Sequence, residues 1–124
     1  MKVLVADDDR DQLSLRCMLL AQSGFDTLPA ADAAAATELA AAHKPRCAVV
    51  DLRFPTQERG LQLIHDLKIL DPGMHVFVLT GGDGGRLAQA PERTLIDAVL
   101  TKGSGSAVLI QKLRTVAGEQ PHKH

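Results

Sequence analysis

The stretch Cys47-Ala48-Val49-Val50-Asp51 is a short apolar run that ends abruptly on a carboxylate. Its length, its valines and the Pro45 that precedes it are typical of a buried strand. In an open parallel sheet, ligands bind outside the carboxyl ends of the strands. The stretch therefore predicts that Asp51 lies at the edge of a sheet, at a place where chemistry is usually done.

Three other apolar runs lead into polar side chains in the same way. They are Val3–Ala6 before Asp7-Asp8-Asp9, His75–Leu79 before Thr80, and Leu95–Thr101 before Lys102. Because the carboxyl ends of parallel strands meet at one edge of a sheet, we expect these side chains to converge there with Asp51. The sequence thus predicts a site made of acids, one hydroxyl and one amine.

Helical patterns alternate with the apolar runs along the whole chain. The predicted strands are Lys2–Ala6, Phe25–Leu28, Cys47–Val50, His75–Thr80 and Leu95–Thr101. The predicted helices are Asp9–Ala21, Asp32–His43, Gly60–Leu70, Arg86–Gln89 and Ala107–Ala117, with Ser106 as the N-cap of the last. This alternation predicts an α/β fold with parallel βαβ units and helices on both faces of one sheet.

Length and composition indicate one globular domain. The chain has 124 residues, of which 45% are hydrophobic and only 2% aromatic, so its core must be built from aliphatic side chains. We find no internal repeat and no linker in it. The polar segment 119–124 is predicted to be a disordered tail.

Charge and hydropathy argue against several classes of partner. The net charge is −1 and the arginines are dispersed, so we expect neither direct nucleic-acid contact nor attraction to an anionic membrane. Apolar runs stay well short of the roughly 18 residues that a membrane helix needs, and a strand pattern follows Met1-Lys2 directly, which predicts no membrane insertion and no signal peptide. Cys17 and Cys47 lie in apolar patterns and are predicted to be buried free thiols, which fits a reducing cytoplasm.

With these residues in place, the chain resembles a response regulator receiver domain, the phosphoacceptor module of two-component signalling. The matching positions are Asp7 and Asp8, Asp51, Thr80 and Lys102, in order and at strand ends. The resemblance runs from Met1 to about Gly118, which implies a receiver domain over residues 1–118. It also implies a flavodoxin-like, doubly wound sheet of five parallel strands in the order 2-1-3-4-5, with five helices on both faces.

The resemblance implies that Asp51 accepts a phosphoryl group from a phosphohistidine. A carboxylate can attack phosphorus and form an acyl phosphate. Lys102 would supply a compact positive charge to the phosphoryl group, and Thr80 would donate a hydrogen bond to one of its oxygens. Such a domain assists its own phosphorylation and slow dephosphorylation without being a conventional turnover enzyme.

Mg²⁺ is the expected cofactor, because the nucleophile and the incoming phosphoryl group are both anionic. This cation is typically held by one or two carboxylates together with phosphate oxygens and water. Asp8 and Asp51 are the expected direct ligands, and Asp7 would act through water. The family implies the backbone carbonyl of Arg53 as a further ligand.

The resemblance also implies partners. The phosphoryl donor would be a histidine kinase or a histidine phosphotransfer protein. Output would pass to another protein through the face of the fourth helix, fifth strand and fifth helix, which here comprises Arg86–Arg93, Leu95–Val99 and Val108–Val116. A homodimer stays open, as does the choice between a stand-alone receiver and a receiver cut from a longer protein.

Two departures from the family pattern keep an alternative open. Val99 stands where the family usually has Tyr or Phe, and Gly103 follows Lys102 where proline, often with a cis peptide bond, is usual. Output would then depend on Thr80, on the last helix, or on the loop Gly81–Gly85, which is expected to be mobile. The alternative is a protein-interaction module with a receiver fold that works without phosphorylation. A small phosphatase or nucleotide-binding enzyme would need a second acid or base and an insert covering the substrate, and the sequence contains neither.

Overall fold

The structure, a computed structural model, describes residues 1–53, 56–81, 91–102 and 106–118. In these ranges the strands are β1 Lys2–Ala6, β2 Asp26–Ala30, β3 Cys47–Asp51, β4 His75–Thr80 and β5 Ala98–Thr101. The α-helices are α1 Arg10–Gln22, α2 Ala33–His43, α3 Gln57–Leu70 and α4 Ser106–Gly118, and Pro91–Leu95 forms a 3₁₀ helix.

The strands form one parallel sheet in the order β2-β1-β3-β4-β5, which confirms the predicted fold class and strand order. The described residues contain four α-helices rather than the five predicted, since Arg86–Gln89 lies outside the described ranges. Most of the Gly81–Gly85 loop, Gly103 and the segment 119–124 also lie outside them. Within the described ranges, the structure contains no helix of the length and apolarity required to cross a membrane.

Two hydrophobic layers cover the two faces of the sheet. Alternate residues of β1 point to opposite faces, so that Val3 and Val5 belong to one layer and Leu4 and Ala6 to the other. The α2 and α3 side is closed by Ala36, Ala40, Leu63, Ile64 and Leu67. The α1 and α4 side is closed by Leu13, Leu20, Leu109, Leu113 and Val116. Every residue of the central strand β3 is buried, as its apolar sequence predicts.

Three element boundaries differ from the predictions by two residues or more. Helix α3 begins at Gln57 rather than Gly60, because the Thr56 hydroxyl accepts a hydrogen bond from the Arg59 N–H and caps the helix. Strand β2 continues through Pro29, which an edge strand tolerates. Strand β5 begins at Ala98 rather than Leu95, because the preceding residues form the 3₁₀ helix instead.

The cysteines differ in burial. Cys47 is buried in β3 as predicted, whereas Cys17 on α1 is only partly buried, and neither forms a disulfide bond. Partial burial raises the pKa of the Cys17 thiol, against the smaller opposing effects of a hydrogen bond to Thr27 and the nearby Arg16 charge. The Cys17 thiol therefore lacks the lowered pKa that is typical of a reactive cysteine.

Asp97, the residue directly before β5, contacts the start of β4 at the edge of the sheet opposite the acidic strand ends. Its Oδ2 accepts a hydrogen bond of 2.6 Å from the buried Val76 N–H. The same carboxylate lies 3.6 Å from the Lys68 Nζ and 3.7 Å from the His75 Nδ1. The Lys68 ammonium also donates to the Met74 carbonyl at 2.6 Å, so one small network joins α3, β4 and β5.

We expect Asp97→Ala to lower the free energy of unfolding by about 1–2 kcal/mol, because the Val76 N–H loses its acceptor. Asp97→Asn is the matched control. Its amide oxygen can still accept that hydrogen bond, so only the weak, partly exposed ion pair is lost and the cost should stay below about 1 kcal/mol. Urea unfolding followed by far-ultraviolet circular dichroism measures both values. Equal costs for the two variants would contradict the assigned hydrogen bond.

Candidate functional site

Polar residues from four strand ends meet at the carboxyl edge of the sheet. Asp7 directly follows β1, Asp51 ends β3, Thr80 ends β4, and Lys102 directly follows β5. The register places Asp51 beside Leu79, the residue before Thr80. Parallel pairing therefore brings together side chains that are up to about a hundred residues apart in sequence, as the strand-end pattern predicts.

Three carboxylates form an acidic cluster at this edge. Asp7, Asp8 and Asp51 can each offer an oxygen such that all three oxygens lie within 4.8 Å of one another. Asp7 is 0% exposed and Asp51 is 7% exposed, whereas Asp8 faces solvent. Carboxylate oxygens are the donors that Mg²⁺ prefers, and repulsion between close carboxylates is relieved by a bound cation. The cluster fits a hard divalent cation that enters from the Asp8 side.

The two oxygens of Asp51 have different partners. The Lys102 ammonium donates a hydrogen bond of 2.8 Å to Oδ2. The Arg53 backbone N–H donates to Oδ1 at 3.2 Å. This arrangement orients the carboxylate and places a partly exposed ammonium group directly beside it.

An open cleft of about 470 Å³ lies over Asp51 and is large enough for a phosphoryl group. Its lining residues come from the ends of β3, β4 and β5 and from the start of α3: Asp51, Leu52, Arg53, Gln57, Thr80, Gly81 and Lys102. Thr80 is buried at 4% exposure at the edge of this cleft. Arg53, whose backbone carbonyl is the expected further metal ligand, also lines the cleft and is exposed.

Two residues of this region, Gln57 and Arg16, were not predicted from the sequence. Gln57 borders the cleft because α3 begins there, three residues earlier than predicted. Arg16 of α1 donates a hydrogen bond of 2.9 Å from its guanidinium to the Asp7 Oδ2. A signal for Arg16 existed in the sequence, because it lies between Leu13 and Leu20 on the apolar stripe of α1, where a charge needs a partner.

Comparison with known proteins decides the family. Residues 3–114 match the family described as the response regulator receiver domain. The chain belongs to that family. Receiver domains of two-component response regulators are phosphorylated on an aspartate, with Mg²⁺ bound at an acidic pocket, and they interact with kinases and output domains. Family membership therefore favours the phosphorylated receiver over the module that works without phosphorylation.

The chain is similar in sequence to part of a longer protein. The probable transcriptional regulatory protein TcrX of Mycobacterium tuberculosis is 32% identical over 81 residues, which make up 65% of this chain and 34% of that protein. The chain thus matches about a third of the length of this curated relative.

Solved structures reproduce the fold closely. A CheY-like receiver domain protein from Methanospirillum hungatei has a TM-score of 0.86 at 22% identity, covering 99% of this chain and 98% of that one. A response regulator from Burkholderia pseudomallei, solved with a phosphorylated aspartic acid, a calcium ion and citrate, has a TM-score of 0.76 at 26% identity. That match covers 97% of this chain and 75% of the solved one.

Proposed function

We propose that this receiver domain accepts a phosphoryl group on Asp51. The observation that carries the proposal is the position of Asp51, which ends a fully buried strand, lies at the floor of the open cleft and is in contact with Lys102. Asp7 is less suited to attack phosphorus, because both of its oxygens are held by protein donors. Asp8 is suited to metal binding by its exposure and by its place in the acidic cluster.

The reaction transfers the phosphoryl group from the imidazole nitrogen of the donor to a carboxylate oxygen of Asp51. A carboxylate oxygen of Asp51 forms a bond to phosphorus while the bond from phosphorus to the donor imidazole nitrogen breaks. The imidazole keeps the electron pair and later takes a proton from solvent. In hydrolysis, water attacks phosphorus, the Asp51 carboxylate leaves, and inorganic phosphate is released. The domain thus assists its own phosphorylation and dephosphorylation.

Asp8 and Asp51 would hold Mg²⁺ directly, the Arg53 carbonyl would add a third protein ligand, and Asp7 would act through water. The bound cation neutralises the charge that gathers between the carboxylate and the phosphoryl oxygens. The Burkholderia response regulator was solved with both a phosphorylated aspartic acid and a calcium ion, which supports the combination of an acceptor aspartate with a divalent cation.

Lys102 and Thr80 complete the site from the other side of the cleft. The Lys102 ammonium lies 2.8 Å from Asp51 and would transfer its contact to the phosphoryl group once Asp51 has become an acyl phosphate, a mixed anhydride. The Thr80 hydroxyl would donate a hydrogen bond to a phosphoryl oxygen. Catalysis in this site consists of positioning and charge stabilisation, as in other phosphoryl transfers.

The donor in the cell would be a histidine kinase or a histidine phosphotransfer protein, and the domain would act in the cytoplasm as a unit spanning residues 1–118. Output would pass through β5 and α4, together with the segment before β5. Val99 is half-buried and packs against the α2 and α3 layer, so an aliphatic contact replaces an aromatic switch on this face. Residues 86–90 of the proposed face lie outside the described ranges.

Phosphorylation by a small acyl- or amido-phosphate donor in Mg²⁺, read by intact mass, tests the proposal. We expect wild type to gain the mass of one phosphoryl group, and Asp51→Asn to gain none, because an amide is not nucleophilic enough to replace the carboxylate. EDTA should abolish the adduct in wild type by removing the cation.

Asp66→Asn, an equivalent change on α3 away from the cleft, is the matched control and should be phosphorylated like wild type. Circular dichroism should give the same helix content for all three proteins. An adduct on Asp51→Asn would mean that another residue accepts the phosphoryl group. The absence of an adduct on wild type, even at early times, would favour the module that works without phosphorylation.

A further inference from the structure

One arginine of helix α1, Arg16, contacts the acidic cluster. Arg16 lies on the buried stripe of α1, its side chain is only 13% exposed, and its guanidinium contacts the Asp7 Oδ2 at 2.9 Å. The other Asp7 oxygen accepts a hydrogen bond of 2.9 Å from the Asp9 N–H, at the residue that caps α1. Both oxygens of Asp7 are therefore engaged by the protein before any cation binds.

The ion pair between Arg16 and Asp7 also makes the net charge of the site less negative. Lys102 contacts Asp51 and Arg16 contacts Asp7, so two positive charges stand against the three carboxylates of the cluster. Lys102 is partly exposed at the open cleft, where it can move as the phosphoryl group arrives. Arg16 is enclosed and planar, and its partner is fully buried, so its charge is a permanent part of the site.

We propose that Arg16 is a positioning residue that limits Mg²⁺ affinity. It holds Asp7 in a fixed orientation, with one oxygen occupied, so that Asp7 does not bind the cation directly, and its positive charge opposes cation binding. Asp8 and Asp51 are thereby left as the carboxylates that bind the cation directly. The proposal rests on the proposed function, since it concerns the cation of the same site.

A purely structural role predicts a different result. Replacing Arg16 would then leave a buried carboxylate without its partner, which destabilises the fold without tightening cation binding. The two roles therefore differ in the sign of the change in Mg²⁺ affinity, and this sign can be measured on the unphosphorylated protein without any phosphoryl transfer.

Isothermal titration calorimetry, with Mg²⁺ added to wild type and to each variant, measures the direction of the change in Mg²⁺ affinity. We expect Arg16→Gln to bind Mg²⁺ roughly three- to tenfold more tightly, because a unit positive charge beside a divalent cation in a partly solvated site is removed. Arg16→Lys keeps the charge and should remain within about twofold of wild type. Arg114→Gln makes the same change in net charge on the exposed face of α4 and should leave the affinity unchanged.

Unchanged or weaker Mg²⁺ binding by a folded Arg16→Gln protein would overturn the proposal. If that variant does not fold, nitrogen-15 spectra of the arginine side chains of wild type decide the matter. We expect the Arg16 guanidinium to keep its slowly rotating, hydrogen-bonded signal when Mg²⁺ saturates the site. A cavity of about 190 Å³ between α1 and α4, which Arg16 and Lys102 both border, offers the guanidinium another place to lie, and loss of the signal on Mg²⁺ addition would reject the proposal.

Failure of the proposed function gives a different pattern. Wild type would then gain no phosphoryl group, whatever residue stands at position 16. Wild type that binds Mg²⁺ and is phosphorylated, together with an Arg16→Gln protein of unaltered affinity, would reject only the role of Arg16.

Discussion

Replacing Gly60 by alanine is expected to lower the free energy of unfolding by about 3–5 kcal/mol. A Cβ at this position would overlap the Leu52 carbonyl oxygen and lie 3.0 Å from the Leu52 carbonyl carbon. Those atoms belong to backbone and cannot rotate away as a side chain would. The first turn of α3 must therefore move away from the end of β3, which carries Asp51.

Urea unfolding followed by far-ultraviolet circular dichroism measures this loss, since the chain has no Trp or Tyr to report by fluorescence. Gly118→Ala at the end of α4 is the matched control. An added Cβ there meets nothing within 4 Å, so the stability should change by less than about 0.5 kcal/mol. Equal stabilities of Gly60→Ala and wild type would mean that α3 does not approach Leu52 as closely as the structure has it.

The same substitution should also slow phosphorylation of Asp51. The Leu52 N–H donates a hydrogen bond of 2.9 Å to the Leu79 carbonyl, which links the β3 terminus to β4 beside Thr80. A shift of Leu52 therefore disturbs the distance between the acceptor and the opposite wall of the cleft. Any Gly60→Ala protein that remains folded should accept the phosphoryl group more slowly than Gly118→Ala under the same conditions.

Replacing Lys102 by alanine is expected to slow phosphorylation by a small donor about a hundredfold. Two effects oppose each other in this variant. The loss of the 2.8 Å contact frees an Asp51 oxygen for attack, which favours reaction. The loss of the ammonium also removes the cation that offsets the repulsion between two anions, and a preorganised donor of this kind is typically worth about 10²–10³ in rate. The second effect is larger, so the net result is slower reaction.

The rate of adduct formation, read by intact mass at short times in Mg²⁺, tests this expectation. Lys102→Arg should recover part of the rate, since it keeps the charge but not the compact geometry of the ammonium. Lys112→Ala on the exposed face of α4 should react like wild type. If the Lys102→Ala protein is phosphorylated at the wild-type rate, Lys102 does not take part in the reaction.

The parts of the site that could be predicted are the residues that end apolar strands. Asp51 and Thr80 are each the last residue of a buried strand, and Asp7 and Lys102 each directly follow a strand. Strand ends can be located in sequence because a central parallel strand is apolar on both faces and stops where polar residues begin. Parallel pairing then brings those ends to a common edge of the sheet, so the convergence of these four side chains can be predicted from the sequence.

The parts that could not be predicted depend on local capping and on contacts between elements. The sequence pattern predicts that α3 begins at Gly60, whereas Thr56 caps the helix about one turn earlier and brings Gln57 to the cleft. Gly60 is inside the helix for a tertiary reason, its close approach to Leu52. Nothing in the local pattern distinguishes such a glycine from one that ends a helix.

By itself, the sequence determined the alternation of strands and helices, the apolar strand interiors and the polar residues at the strand ends, because periodicity and burial are properties of short segments. The strand order came from the family resemblance, and the structure confirms it. Only the tertiary structure decided that Arg16 pairs with Asp7, that Lys102 contacts Asp51 and that Asp8 is the carboxylate open to solvent. These outcomes depend on the distances between side chains from different elements, and packing alone sets such distances.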